Sequence, residues 1–494
     1  MDLVKLGLEK VCKLYEVDMT GDYNIRTVPA RSLISPLRLD LLAKIAYVES
    51  REKNRNREFA LGIYKRTLEA CTLGTFSEFD NDKKQNFDDF VTEFDKLIDS
   101  IKEKGMDSSI SVIPVGKNGI IMNGAHRVAI AAYFDMEVPI VEFDVDGAEM
   151  GVELFKKRYL QENDIDYLVT ELCKWRDDLY LCCLWPSAGP EDKRRRAKEI
   201  MSSQYRVVYE KKVNLNSNGM HHLIPQIYCT MSWIGDVDTR FFSATPKVNN
   251  CLGDNPFEVI LFQGDELQKV VALKKAMRDV FGIEENSLHI TDYPEETRYV
   301  AQMLYSNNTV DFLNKGEPFK YIKLNKKVFA FKDYLKESNR DIDDYVIDSG
   351  SVLGIYGIRE ANDLDYLCIT EKQGDDTEEF ENHVYIKDGE YYKRPFDDLI
   401  YNPFNVFYYF GLKIMTLDRV DEFKKNRASS KDKIDTELIA SFISGKKSLS
   451  QKLGVIRLNV SRGIRNGVYK TASHLPDPVY DLVRKVYRLL KHKK

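Results

Sequence analysis

Apolar residues recur every three or four positions through most of residues 1–100. In LDLLAKIAYVESREKNRNREFALGIYKRTLEAC, and again in DDFVTEFDKLIDSIKEKG, that spacing predicts helices. After Gly105 the period changes. SVIPVGKNGIIMNGAHRVAIAAYFDMEVPIVEFDV predicts strand, tight turn at Asn118-Gly119, strand, helix and strand. Residues 151–320 predict a second α/β unit. Its strands lie in YLCCLWP, RVVYEKKV, FEVILF and SLHITD, its helices in QKVVALKKAMRDVFG and PEETRYVAQMLYSN. A third unit starts near Phe329, with strands expected in DYLCI, HVYIKD, DLIY and FYYFGLKIM and helices in LDRVDEFKKNR and KDKIDTELIASFIS. From Gln451 the chain turns strongly basic. The expected class is α/β of the α+β kind, multidomain, with units at 1–150, 151–320 and 321–450 and a tail at 451–494.

Composition bounds this picture. A chain of 494 residues is too long for one ordinary domain. At 43% hydrophobic residues it can fill packed cores. With 73 Lys and Arg against 78 Asp and Glu, the net charge of −5 gives no bulk attraction for nucleic acid, and no nucleic-acid partner is expected. No run of about 18 apolar residues is present, and the N-terminus MDLVKLGLEKVCKLYEVD has no signal-peptide pattern. A cytoplasmic location is the expectation. The eight cysteines are scattered without a CxxC pair, so reduced thiols are expected rather than a disulfide framework or zinc site.

The most informative stretch is DSGSVLGIYGIREANDLDYLCI, residues 348–369. Gly350-Ser351 sits in a turn before a short helix. Asp363 and Asp365 are two apart at a strand, so they point the same way. Two carboxylates on one face repel, and a divalent cation such as Mg²⁺, itself shared with substrate phosphates, relieves that. Gly350 allows backbone to approach a phosphate, and the Ser351 hydroxyl can donate to it. Arg359 and Asn362 are candidate phosphate contacts, with a plain surface loop as the alternative.

Gly-Ser, eleven residues, then Asp-Leu-Asp in a hydrophobic strand resembles the signature of the nucleotidyltransferase superfamily, the fold of DNA polymerase β. The segment GLKIMTLDRVDEFKKNRASSKDKIDTELI (411–439) is similar to that family's later strand and KDxxD helix. The resemblance covers roughly residues 330–445. It implies a metal pair held by Asp363 and Asp365, a nucleoside triphosphate substrate cradled at Gly350 and Ser351, and a third carboxylate. Asp398 is the preferred third, with Asp397 and Asp388 as rivals.

A second anion site is expected near residue 124. A hairpin is followed by Asn-Gly-Ala-His-Arg at a helix start, where backbone amides favour an anion and Arg can fork onto phosphate. This resembles the ParB/sulfiredoxin-like fold over roughly residues 100–150, whose DGxHR loop binds nucleotide phosphates. Gly124, His126 and Arg127 match. Asn123 stands where that family has Asp, which takes a charge from any catalysis there. A capped helix with a structural histidine is the alternative.

Elsewhere the signals are weaker. His289 and Asp292, with Glu295 or Glu296 after them, read as a capped helix start, a base pair or metal ligands. His221 and His222 are expected on a strand, facing opposite ways. Ser187-Ala188-Gly189 forms a turn before a basic helix. The tail 455–494 carries ten Lys or Arg against Asp477 and Asp481, and its last segment, 476–494, is a basic amphipathic helix suited to an anionic membrane surface or to its own domain.

These expectations converge on a Mg²⁺-dependent nucleotidyltransferase. Its acceptor would be a small phosphorylated metabolite or glycan precursor, as in bacterial surface-polysaccharide biosynthesis, with peripheral membrane attachment through the tail. The alternatives are a nucleotide-dependent small-molecule kinase working through the ParB-like part, or a non-catalytic nucleotide-binding assembly factor at the membrane.

Overall fold

The computed structural model of the chain describes residues 3–77, 83–106, 112–372, 380–385 and 387–445. The tail 451–494, including the amphipathic segment 476–494, lies outside them. Three sheets follow one another along the chain. The first contains β1 (Ile25–Pro29), β2 (Ile113–Gly116) and β3 (Glu137–Phe143) in the order β1-β3-β2, with β1 antiparallel and β2 parallel to β3. The second contains β4 (Leu179–Leu184), β5 (Arg206–Val213), β6 (Phe257–Gln263) and β7 (Leu288–Ile290), all antiparallel, in the order β5-β6-β4-β7. The third is mixed: β8 (Val346–Ile347), β9 (Leu364–Leu367), β10 (Phe380–Asn382), β11 (Val406–Tyr409) and β12 (Leu412–Met415) in the order β10-β9-β8-β12-β11.

Helix Phe87–Lys104 shows how sequence becomes structure. The Asn86 side chain accepts from the Asp89 amide, Asp88 and Asp89 occupy the first turn, Lys102 and Lys104 the last, and Gly105 follows at φ +72°. Phe90, Phe94, Ile98 and Ile101 form its buried stripe. The long helical pattern before it is split into Asp40–Lys53 and Arg57–Thr72 by Asn54 and Asn56, both left-handed. Asparagine tolerates that region. Asn56 is also pinned to the distant helix Phe396–Tyr401: its amide donates to Asp397 Oδ2 at 2.7 Å and its side chain to the Tyr401 carbonyl at 2.9 Å.

In the middle sheet β4, β6 and β7 are buried on both faces, while the edge strand β5 alternates buried and exposed. Leu181 and Cys183 face one apolar cluster, while Tyr180, Cys182 and Leu184 face another under helices Glu191–Ser202 and Leu267–Phe281. The first of these clusters runs without a break from Val28 to Ile439 and joins all three sheets. All eight cysteines are free thiols. Among the described residues no helix is long and apolar enough to cross a membrane.

Two segments expected as strands are helical. DLIY (398–401) belongs to helix Phe396–Tyr401, started by Pro395. His221 and His222 belong to helix Ser217–Ile227, whose N-cap Asn216 accepts from Gly219. Short apolar runs such as Leu399-Ile400-Tyr401 do not separate the two states, and for the histidine segment the Asn216 cap helps decide. HVYIKD is displaced too: the strand is Phe380–Asn382, and His383–Tyr385 is a single tight turn.

Candidate active site

The Gly350–Ser351 pair opens a short helix, Ser349–Ile355, directly after β8. On β9, Leu364 and Tyr366 enter the core, which leaves Asp365 on the other side, while Asp363 is an exposed residue in the bend just before the strand. The two motifs meet. A Cβ added at Gly350 would stand 3.3 Å from Arg359 Nη2 and 3.8 Å from Asp365 Oδ2. Ser351 locks this junction: its hydroxyl accepts from the Asp365 amide and donates to the Asp363 carbonyl, both at 3.0 Å. That hydroxyl is fully buried, so it holds the loop against β9 instead of facing a phosphate.

Arg359 is likewise neither a phosphate ligand nor a surface residue. Its side chain is buried and forks onto Asp435 at 2.5 and 2.7 Å. Lys424 reaches Asp435 at 2.8 Å and Asp432 at 3.4 Å, and Arg427 also pairs with Asp432. Burial opposes the Asp435 charge, but Arg359 and Lys424 overcome it and hold the carboxyl below its ordinary range. The KDxxD segment therefore braces the loop around Gly350 from behind.

Asp398 does not join the aspartate pair. It is buried in its helix and accepts from Asn402 at 2.9 Å and Asn405 at 3.0 Å. Asp397 serves the Asn56 tie already described, and the Asp388 side chain lies outside the described ones. The residue beside Asp365 is instead Glu381, in register with it across the parallel β9–β10 pair and so on the same face. Sequence reading missed Glu381 because TEEFENH looks like a solvated acidic loop and its strand is three residues long.

His383 was missed as well. Its Nδ1 stands 3.4 Å from Asp348 Oδ1 and its Nε2 3.5 Å from Asp365 Oδ1. Asp348, fully buried at the end of β8, takes a hydrogen bond from Tyr392 on its other oxygen. Burial works against a charged imidazole, yet Asp348, Asp365 and Glu381 outweigh it and raise His383 to about 9. Burial, with Asp348, Asp363 and Glu381 nearby, pushes Asp365 up to about 6 despite His383. Ligand atoms of Asp348, Asp365 and His383 all lie within 4.8 Å of one another. Asp348 Oδ1 and His383 Nδ1 are buried without a hydrogen bond and face each other at 3.4 Å.

The N-terminal candidates line a cavity of about 480 Å³. Gly124 has φ +87°, and a Cβ there would strike Ile113 at 2.7 Å and the Arg127 guanidinium at 2.8 Å, so only glycine fits beneath that arginine. Among the described residues, Lys10, Arg38, Lys44, Lys84 and Arg127 line the cavity against one carboxylate, Asp40. Asp40 is already engaged by Arg38 at 2.8 Å and Lys44 at 2.9 Å. His126 is not cationic: burial pushes its pKa well down, the neighbouring lysines add to this, and its Nε2 lies 2.8 Å from the Tyr64 hydroxyl.

The middle-region candidates are dispersed. His289 pairs with Glu296 at 2.8 Å, while Asp292 pairs with Lys274 at 2.5 Å and its amide donates to Glu296. Arg194, in the basic helix after Ser187-Ala188-Gly189, is buried and donates to the Trp185, Ala188 and Pro256 carbonyls. Comparison with protein-family models, with curated proteins and with solved structures returns no match for this chain.

Proposed function

We propose that the protein is a metal-dependent nucleotidyltransferase working at the β8–β9–β10 end of its third sheet. The observation that carries this reading is the convergence of Gly350, Asp365 and Glu381: a loop that admits close backbone approach, set against carboxylates sharing one face. Asp363, Asp365 and Glu381 would hold the divalent cation, Mg²⁺ by the resemblance. When bound, that ion neutralises triphosphate charge and stabilises attacking and leaving oxygens. Gly350 lets the main chain lie against the phosphates, while Ser351 and Arg359 keep that loop in place. Pyrophosphate leaves as the acceptor oxygen attacks the α-phosphorus. The acceptor class remains a small phosphorylated metabolite or glycan precursor.

The basic cavity around Gly124 and Arg127 favours a second reading, in which the N-terminal unit binds a nucleotide or phosphorylated compound of its own. It would act either as a kinase site or as the acceptor's holding site. One experiment separates these. The full chain is incubated with each α- and γ-labelled nucleoside triphosphate, Mg²⁺ or Mn²⁺, and a small-metabolite extract. Label transferred from the α position and lost in Asp365→Asn supports the nucleotidyltransferase. Label transferred only from the γ position and lost in Arg127→Ala supports the kinase. Transfer from neither position refutes both. Attachment to anionic vesicles through 476–494 is part of the proposal and is tested by co-sedimentation with and without that segment.

A further inference from the structure

We propose that His383 is a metal ligand, paired with Asp365 and oriented from behind by Asp348, so that this site takes Mn²⁺ or another nitrogen-accepting divalent ion ahead of Mg²⁺. The inference rests on the metal-dependent reading of the same site.

The geometry assigns each ring nitrogen a separate task. One imidazole cannot present both nitrogens to one ion. Nε2 faces Asp365 Oδ1 at 3.5 Å, on the side where the Asp365 side chain retains 15% exposure. An ion about 2.1 Å from each ligand sets neighbouring ligands about 3.0–3.5 Å apart, in octahedral or tetrahedral coordination. The observed pair already has that separation. Nδ1 faces the other way, to Asp348 Oδ1 at 3.4 Å, and that carboxylate has no exposure. Metal-bound histidines usually donate their second N–H to such a carboxylate, which fixes ring and tautomer. Tyr392 in turn holds Asp348, and its ring stacks on Phe423 at 4.2 Å, so the support reaches into the core.

Two buried atoms without hydrogen bonds, Asp348 Oδ1 and His383 Nδ1, face each other in this row. A slight turn of the ring toward an ion at Nε2 would bring them into hydrogen-bond range. The ion replaces the Nε2 proton. Asp365 and His383 thus supply one oxygen and one nitrogen, and Glu381 is in register with Asp365 on the neighbouring strand. Imidazole in a donor set favours Mn²⁺ and Zn²⁺, whereas Mg²⁺ prefers oxygen alone.

The test is Mn²⁺ titration of the full chain without nucleotide, followed by electron spin echo spectroscopy of the bound ion. The expected result is one Mn²⁺ with nitrogen coupling. That coupling changes to the ¹⁵N pattern when the protein is grown with ¹⁵N-histidine, a readout that needs no variant. His383→Gln should remove the coupling, and Asp348→Asn should weaken Mn²⁺ binding about 10–100-fold. Mn²⁺ bound without nitrogen coupling, nitrogen coupling that persists in His383→Gln, or no binding at millimolar Mn²⁺ overturns the inference. Bound Mn²⁺ without nitrogen coupling, together with intact nucleotidyl transfer, leaves the transferase reading standing. Histidine coupling without transfer of any nucleotide overturns that reading and leaves the metal site.

Discussion

Replacing Asp435 by Asn tests the brace behind Gly350. Asp435 has no solvent exposure, accepts two bonds from Arg359 at 2.5 and 2.7 Å, and lies 2.8 Å from Lys424. Asparagine keeps the shape and removes the charge. Two buried cations are then left around a neutral amide whose own N–H₂ cannot serve both. Breaking a buried pair in this way costs about 3–5 kcal/mol, much of it the burden of charge left uncompensated in the interior. Urea denaturation of wild type and Asp435→Asn, followed by tryptophan fluorescence and circular dichroism, measures the loss. The triple variant Asp435→Leu, Arg359→Met, Lys424→Met removes the charges together and should recover most of it. A loss below about 1 kcal/mol for Asp435→Asn would refute the reasoning, since it would equal an exposed pair. A triple variant no more stable than Asp435→Asn would refute the charge-based explanation.

His222 provides a pH test: burial pushes its pKa down to about 4, against a partly opposing bond to the Leu313 carbonyl at 3.0 Å, so the folded state favours the neutral ring. Its stabilisation is present above about pH 6.5 and is lost as pH falls toward 4, by up to about 3 kcal/mol, and His222→Gln should flatten that part of the stability–pH curve. Gly124→Ala should cost about 1–2 kcal/mol from the left-handed backbone alone. It should also displace Arg127 and weaken nucleotide binding to the N-terminal cavity in calorimetry. Glu381→Gln should weaken Mn²⁺ binding at least about tenfold. Asp398→Ala should leave Mn²⁺ affinity unchanged while lowering stability by about 1–3 kcal/mol, because Asn402 and Asn405 lose their buried acceptor; equal effects of the two variants on the metal would restore Asp398 to the site.

The strands of the middle sheet were legible because β4, β6 and β7 are apolar runs and β5 alternates buried and exposed positions, and the helices around Phe94 and Val270 because their periods are clean. The Gly-Ser turn and the aspartate strand were legible from spacing alone, and they do meet at Gly350. What spacing cannot convey is partnership across the chain. Arg359 finds Asp435 76 residues later, and no local pattern distinguishes that arginine from a loop residue awaiting phosphate. Asp398 looked available because an apolar run follows it, but two asparagines fold back onto it. Glu381 and His383 were hidden by brevity: a three-residue strand carries no period, and the sheet register that places them exists only after folding.

The shared core also shapes how the chain is made. Phe59 packs edge-on against Tyr167 at 5.0 Å and against Phe404 at 5.4 Å. Phe404 is synthesised 345 residues after Phe59 (404 − 59), which at about 5–20 residues per second is a wait of roughly 17–70 s. For that interval the first helices expose an apolar face whose final cover has not yet left the ribosome. Tyr167 arrives first, so the earlier ring contact can form well before the later one.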